Sequence, residues 1–258
     1  RGVDNLFFLA RDSFVWYRMA LRLRHLFLGM NFHYLYISRK AVFVSCLYDL
    51  SDYELELVFS DTIGYTPRQL LSSLALEEDE MLQAFCADEL DEPLDSGKRV
   101  RFYDRIRSSS LAKILLEKSG EARRLLLSYL RQEGFLGSEK PGIVDIGWKG
   151  NTNRVLNYIL RREEDTNAYL SFFLGVKETR HPIASIGDYE AGYYFEDYLD
   201  EPEYAYNLFA LVYVLENYFS ASDDTTLSRY REEDGTIYPE FSPGIISDAS
   251  KEKNQYIL

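Results

Sequence analysis

A chain of 258 residues, 46% hydrophobic and 15% aromatic, has enough apolar material to bury a substantial core, and its composition argues against disorder. Its 42 acidic and 29 basic residues leave a net charge of −13, which excludes nonspecific binding to nucleic-acid phosphates but leaves room for a small anion in a local pocket. Cys46 and Cys86 lie far apart in apolar surroundings, and His25, His33 and His181 lack ligand spacing, so a disulfide framework, a zinc site and a Cys-His or Ser-His-Asp mechanism all lack support.

Two buried, reduced thiols are the expectation for the cysteines, and half-buried core positions for most of the 21 tyrosines. No apolar run is long enough to cross a membrane, and no signal peptide is read. The chain starts at Arg1 rather than Met, which leaves room for a preceding segment.

In chain order, Leu6–Ala10 (LFFLA) reads as a short buried strand, followed at once by Arg11-Asp12-Ser13. Phe14 to Phe27 reads as an amphipathic helix with Ser13 as N-cap, Arg18, Arg22 and Arg24 as polar positions, and Trp16 in the core. Tyr34–Ile37 (YLYI) is a second strand, ending at Ser38-Arg39-Lys40 before another apolar helix.

From about residue 50 to 135 the chain is charge-rich and helical in character, with Thr66-Pro67 as a helix start and Gly134 as a helix stop. The acidic run Glu77–Glu80 reads as a solvated helix face. Gly142–Ile146 (GIVDI) is a third strand, Asn151–Arg162 a helix, Tyr169–Val176 a fourth strand, and Tyr189–Phe195 an edge strand. A further apolar helix is expected over Glu203–Phe219, ending near Glu216, and a loop-rich tail over about 223–258. The alternation predicts a single α/β domain with a Rossmann-like core, a largely parallel sheet and a helical insertion.

Ligands of open α/β sheets sit outside the carboxyl ends of the strands. Three predicted strands end in functional side chains: Arg11-Asp12, Ser38-Arg39-Lys40, and Asp145 followed by Gly147-Trp148-Lys149-Gly150 and Asn151. Glycines let the backbone approach a ligand, the first amides of a helix favour an anion, and Lys149 adds a point charge. Cations nearby are expected to keep both acids ionised, so that either can act as a base or hold Mg²⁺. The pattern is neither a Walker A loop nor GxGxxG. Glu216, at a helix end, is a further candidate beside its plainer reading as a solvated side chain.

The stretches FFLARDS, YLYISRKA, IVDIGWKGNTN and LENYFSA, between Leu6 and about Ala221, resemble the glycan phosphoribosyltransferase domain of bacterial dual-domain ribofuranosyltransferases, with the helical middle only loosely matched. Those proteins belong to polysaccharide biosynthesis and are associated with a haloacid-dehalogenase-type phosphatase. Ser13 stands where the family pattern has Gly, and Asn151 and Asn153 where it has Ser and Gln.

The resemblance implies transfer of 5-phosphoribose from phosphoribosyl pyrophosphate to a glycan hydroxyl in O-antigen or capsule assembly. A phosphatase, as fused domain or separate chain, would then remove the 5-phosphate; the D-x-D-x-T/V motif of such a phosphatase is absent from this sequence. It also implies a cytoplasmic enzyme with a lipid-linked acceptor, at the inner face of the membrane. For such a reaction the expected roles are Asp12 as base, Asp145 as ribose or Mg²⁺ ligand, and Arg11, Arg39, Lys40 and Lys149 on the donor's phosphates. A sugar-nucleotide-dependent glycosyltransferase and a non-catalytic carbohydrate-binding module partnering the phosphatase are the alternatives.

Overall fold

The computed structural model describes residues 2–59, 64–148, 150–163, 169–176, 191–196 and 225–242. Lys149, Glu216 and the helix expected over Glu203–Phe219 lie outside them. Contacts divide the chain into two compact units, one of Arg1–Ser38 with Ser128–Leu258 and the other of Arg39–Leu127.

The first unit opens with β1 (Asn5–Leu9), α1 (Phe14–Arg22), a 3₁₀ turn (Arg24–Leu26) and β2 (Asn31–Leu35). The chain then enters the helices α2 (Arg39–Val44), α3 (Asp52–Phe59), α4 (Pro67–Ser73), α5 (Glu78–Met81), α6 (Ala87–Leu90), α7 (Ser96–Ser108) and α8 (Leu111–Gln132). It returns through β3 (Pro141–Trp148), α9 (Asn151–Glu163), β4 (Leu170–Val176) and β5 (Ala191–Glu196), and a hairpin of β6 (Leu227–Glu233) and β7 (Thr236–Phe241) follows.

Five strands form one sheet in the order β2-β1-β3-β4-β5, and all four pairings are parallel. The α/β fold with a Rossmann-like core is therefore as expected, with the last strand at an edge. Parallel strands covered on both faces read as unbroken apolar runs. Thus Phe7, Phe8 and Leu9, which point alternately to opposite faces, are all buried. Phe7 stacks on His33 of β2 and meets Phe135 edge-on, and Phe135 meets Tyr169 the same way. Gly142 of β3 is a packing glycine: a Cβ there would come within 2.6 Å of Leu6 and 3.0 Å of Phe172.

The helical insertion occupies the connection between β2 and β3; α2 is the apolar helix expected after Ser38-Arg39-Lys40, and by its contacts it belongs to the helical unit. Within this unit Thr66 and Gln69 close a capping box around Pro67, the expected helix start. Buried Glu54 takes the backbone N–H groups of Tyr48, Asp49 and Leu50 on one carboxylate oxygen, at 2.9, 3.0 and 3.0 Å. Arg123 donates to the carbonyls of Ser45 and Leu47 and lies over the Tyr48 ring, 3.7 Å from its centroid. Glu80, in the expected solvated run, pairs with Lys118. Cys46 is buried as expected, whereas Cys86 is exposed, because it stands at the N-cap of α6.

The loop-rich tail holds an ordered hairpin in the first unit. Asp234 and Gly235 both have positive φ, 51° and 76°, as a two-residue hairpin turn of the primed type requires. Gln132, at the end of α8, pairs through both atoms of its amide with the backbone of Ile237. Tyr230 donates its hydroxyl to the Tyr36 carbonyl at 2.7 Å and stacks on Tyr129, whose hydroxyl accepts the Tyr36 N–H at 3.0 Å.

Candidate functional site

β1 and β3 are neighbours in the sheet, but the chain leaves them in opposite directions, from β1 to β2 on one side and from β3 to β4 on the other. Such a switch point opens a crevice at the carboxyl edge of a parallel sheet. The β1–β3 register ends with Phe8 opposite Val144, so the next residues of each strand lead into Arg11-Asp12-Ser13 and Asp145-Ile146-Gly147. Asp12 and Asp145 thus stand on the two sides of the switch.

The turn after β1 is fastened to β3 by Ser13, which is fully buried and donates its hydroxyl to the Val144 carbonyl at 3.0 Å. Ser13 occupies the N-cap position of α1 as expected, but its side chain makes no cap hydrogen bond and is turned instead toward the strand carbonyl. Asp12 is held immediately before this anchor, half-buried, with exposed Arg11 on its other side.

The turn after β3 is built by glycine. Gly147 and Gly150 have φ of 101° and 63°, values that L side chains rarely adopt, and the Gly150 N–H closes the turn on the Gly147 carbonyl at 3.2 Å. Asn151 then opens α9. Asp145 accepts a hydrogen bond from the Asn153 amide at 3.1 Å, and the backbone N–H groups of Ile146 and Gly147 bond to it as well. Asn153 is itself fully buried: its carbonyl accepts the Tyr169 hydroxyl at 2.8 Å, and its side-chain oxygen accepts the Ser171 hydroxyl at 3.3 Å.

The expectation that neighbouring cations keep the acids ionised is not met at Asp145. Burial raises Asp145 to about 7, the charge of Asp12 adds to the rise, and the three hydrogen bonds oppose it. Burial also raises Asp12, and Arg11 only partly offsets it. Near neutral pH the pair therefore holds a proton that Asp145 binds more firmly than an ordinary carboxylate does.

The other described candidates each have a local setting of their own. Ser38 donates its hydroxyl to the Leu227 carbonyl of the hairpin at 2.8 Å, a structural use of the proton that a phosphate would need. Arg39 and Lys40 open α2 and belong to the second unit, where the Arg39 guanidinium lies 4.9 Å from the centroid of the Phe43 ring one turn on. Trp148 ends β3. Among the described residues no cluster of three or more His, Cys, Asp or Glu side chains is placed to hold a metal ion.

Asn153 is the residue that sequence reasoning undervalued. Asn153 and Asn157 are buried polar positions on the same face of α9 as Val155, Leu156, Ile159 and Leu160. Two asparagines at i, i+4 spacing inside an apolar helix face are a readable signal, since burying unpaired amides is costly. In comparisons with known proteins, the chain matches no family model and no curated sequence.

Proposed function

We propose that the chain transfers 5-phosphoribose from phosphoribosyl pyrophosphate to a glycan hydroxyl in bacterial surface-polysaccharide assembly. The observation that carries this reading is the facing pair Asp12 and Asp145 at the β1/β3 switch point, beside a glycine turn that leads into the start of α9. The sequence resemblance contributes the identity of donor and acceptor.

In the reaction, the bond between ribose C1 and the diphosphate oxygen breaks, and a bond from C1 to the acceptor oxygen forms. The acceptor's proton passes to Asp12, and diphosphate leaves. Asp12 is assigned as the base of the pair, because Asp145 is the acid that burial and the neighbouring charge raise to about 7. A protonated Asp145 donates a hydrogen bond to a ribose hydroxyl, and Asn153 holds the carboxyl in place for it. The first amides of α9, approached across Gly147 and Gly150, and the exposed Arg11 stabilise the leaving charge.

Two carboxylates are also a usual Mg²⁺ donor set, the ion keeping several waters, and a cation there would relieve the repulsion that raises Asp145. Asp12 and Asp145 would be its protein ligands, and its chemistry would be to neutralise diphosphate charge. The acceptor is a lipid-linked glycan, which puts the protein at the inner face of the membrane, and a haloacid-dehalogenase-type phosphatase completes the pathway. Among the described residues no helix is long and apolar enough to cross a membrane, so contact with one would be made from its surface.

Incubation of the chain with phosphoribosyl pyrophosphate and a glycan acceptor, followed by mass spectrometry, tests the proposal. A product heavier by one phosphoribosyl unit is expected. Turnover only with a nucleotide sugar makes the chain an ordinary glycosyltransferase, and no turnover with any donor makes it a binding module.

A further inference from the structure

α1 is apolar on more than the side that meets the sheet. Phe14 and Tyr17 pack on Tyr34, and Tyr17 also on Phe8, which defines the inward face. On other sides Met19, Leu23, Leu26 and Phe27 follow one another at helical spacing through α1 and the 3₁₀ turn, and all are exposed. Leu26 is 64% exposed and Leu28, in the loop that follows, 93%. Trp16, expected in the core, is only half-buried, at i−3 from Met19. Exposed large apolar side chains elsewhere, such as Tyr53, Leu82 and Val100, are scattered along the sequence, whereas those of α1 and the 3₁₀ turn are contiguous, and a contiguous apolar outward side marks an interaction surface.

The charge around this surface says what it meets. Arg18 and Arg22 lie one turn apart beside the apolar stripe, and Arg24 and His25 follow. The sequence carries 42 acidic residues, yet none falls between Asp12 and Asp49. In a molecule of net charge −13, this stretch is the place where an anionic surface is not repelled. Arginines flanking exposed Leu, Phe, Met and Trp are the composition of a helix that lies in the headgroup region of an anionic bilayer.

We propose that the outward side of α1, with the 3₁₀ turn and Leu28, docks on an anionic lipid surface. The exposed apolar side chains enter the headgroup boundary while Arg18 and Arg24 pair with lipid phosphates. This rests on exposure and charge and not on the transfer reaction, so either can fail without the other.

The test is co-sedimentation of the full chain with vesicles of phosphatidylglycerol and phosphatidylcholine, against vesicles of phosphatidylcholine alone. Binding to the anionic vesicles is expected, weakening with added salt. The double variant Leu26→Glu/Leu28→Glu is expected to bind roughly tenfold or more weakly at unchanged circular dichroism. Arg18→Gln/Arg24→Gln, which leaves the apolar side chains in place, is also expected to weaken binding roughly tenfold or more. Absence of binding to either vesicle overturns the proposal, as does undiminished binding by both variants. A dimer in lipid-free solution that Leu26→Glu/Leu28→Glu dissociates also overturns it, because the surface would then belong to a second copy of the chain.

Discussion

At the scale of single residues, the site turns on how two acids share one charged environment. Asp145 has an ordinary value of 3.8 and a native value of about 7, so between these pH values the folded protein keeps a proton that the unfolded chain has released. Stability linked to this group is therefore full at the acid end of that window and is lost as pH rises toward 7, levelling above it. Melting temperatures of wild type and Asp145→Asn, measured between pH 5 and 8 in chelator, check the sign: the wild type loses its advantage with rising pH, and the variant shows a flatter profile. Parallel profiles would mean that Asp145 titrates normally. Asp145→Ala should weaken donor binding, because it removes both the acceptor that the Asn153 amide holds and the donor offered to the ribose hydroxyl.

Much of this was legible from the strand-end rule alone, which places Asp12 and Asp145 at one edge. The direction of their titration was not legible, because burial depends on the packing of Ser13, Asn153, Tyr169 and Ser171 around the strand ends, and the last two come from a segment beyond the motifs.

Among the elements, the β6–β7 hairpin shows how a local signal is masked. Asp234-Gly235 between alternating residues is a hairpin signature, but acidic residues and Pro239 within the pairing read as loop. What stabilises the hairpin lies elsewhere in the chain, at Tyr36, Tyr129 and Gln132. Tyr230 is buried, and burial raises its hydroxyl well above the usual tyrosine range, so it serves as a hydrogen-bond donor and not as an acid. Tyr230→Phe removes the donor to the Tyr36 carbonyl while keeping the ring stack, and should cost about 1–3 kcal/mol, the range for leaving a buried acceptor unsatisfied. Urea unfolding measures it, and an unchanged midpoint would mean that water replaces the tyrosine at that carbonyl.

The helix boundaries that were legible are those with explicit caps. Thr66-Pro67 begins α4 through a complete capping box, and Gly134, with φ of 78°, follows the end of α8. α2, the apolar helix expected after β2, has six residues and no such punctuation, so nothing in the sequence assigns it to the helical unit.

For the whole molecule, a parallel sheet places the two candidate acids at its carboxyl edge, and its longest crossover, from β2 to β3, is expanded into a helical unit of its own. The alternation of apolar runs with helical periodicity made the sheet readable, because parallel strands buried on both faces leave an unambiguous pattern. The division into two units was less readable: Arg39 and Lys40, which follow a strand in sequence, belong by their contacts to the helical unit.

The central claim is that Asp12 removes the acceptor's proton as phosphoribose is transferred. Its most direct test is single-turnover transfer from phosphoribosyl pyrophosphate to a glycan acceptor by the wild type and by Asp12→Asn, with donor affinity measured alongside. The account predicts a phosphoribosylated product from the wild type, and from Asp12→Asn the same product formed roughly 10²–10⁴ times more slowly with donor affinity nearly unchanged. No product from the wild type, or equal rates from the two proteins, would contradict it.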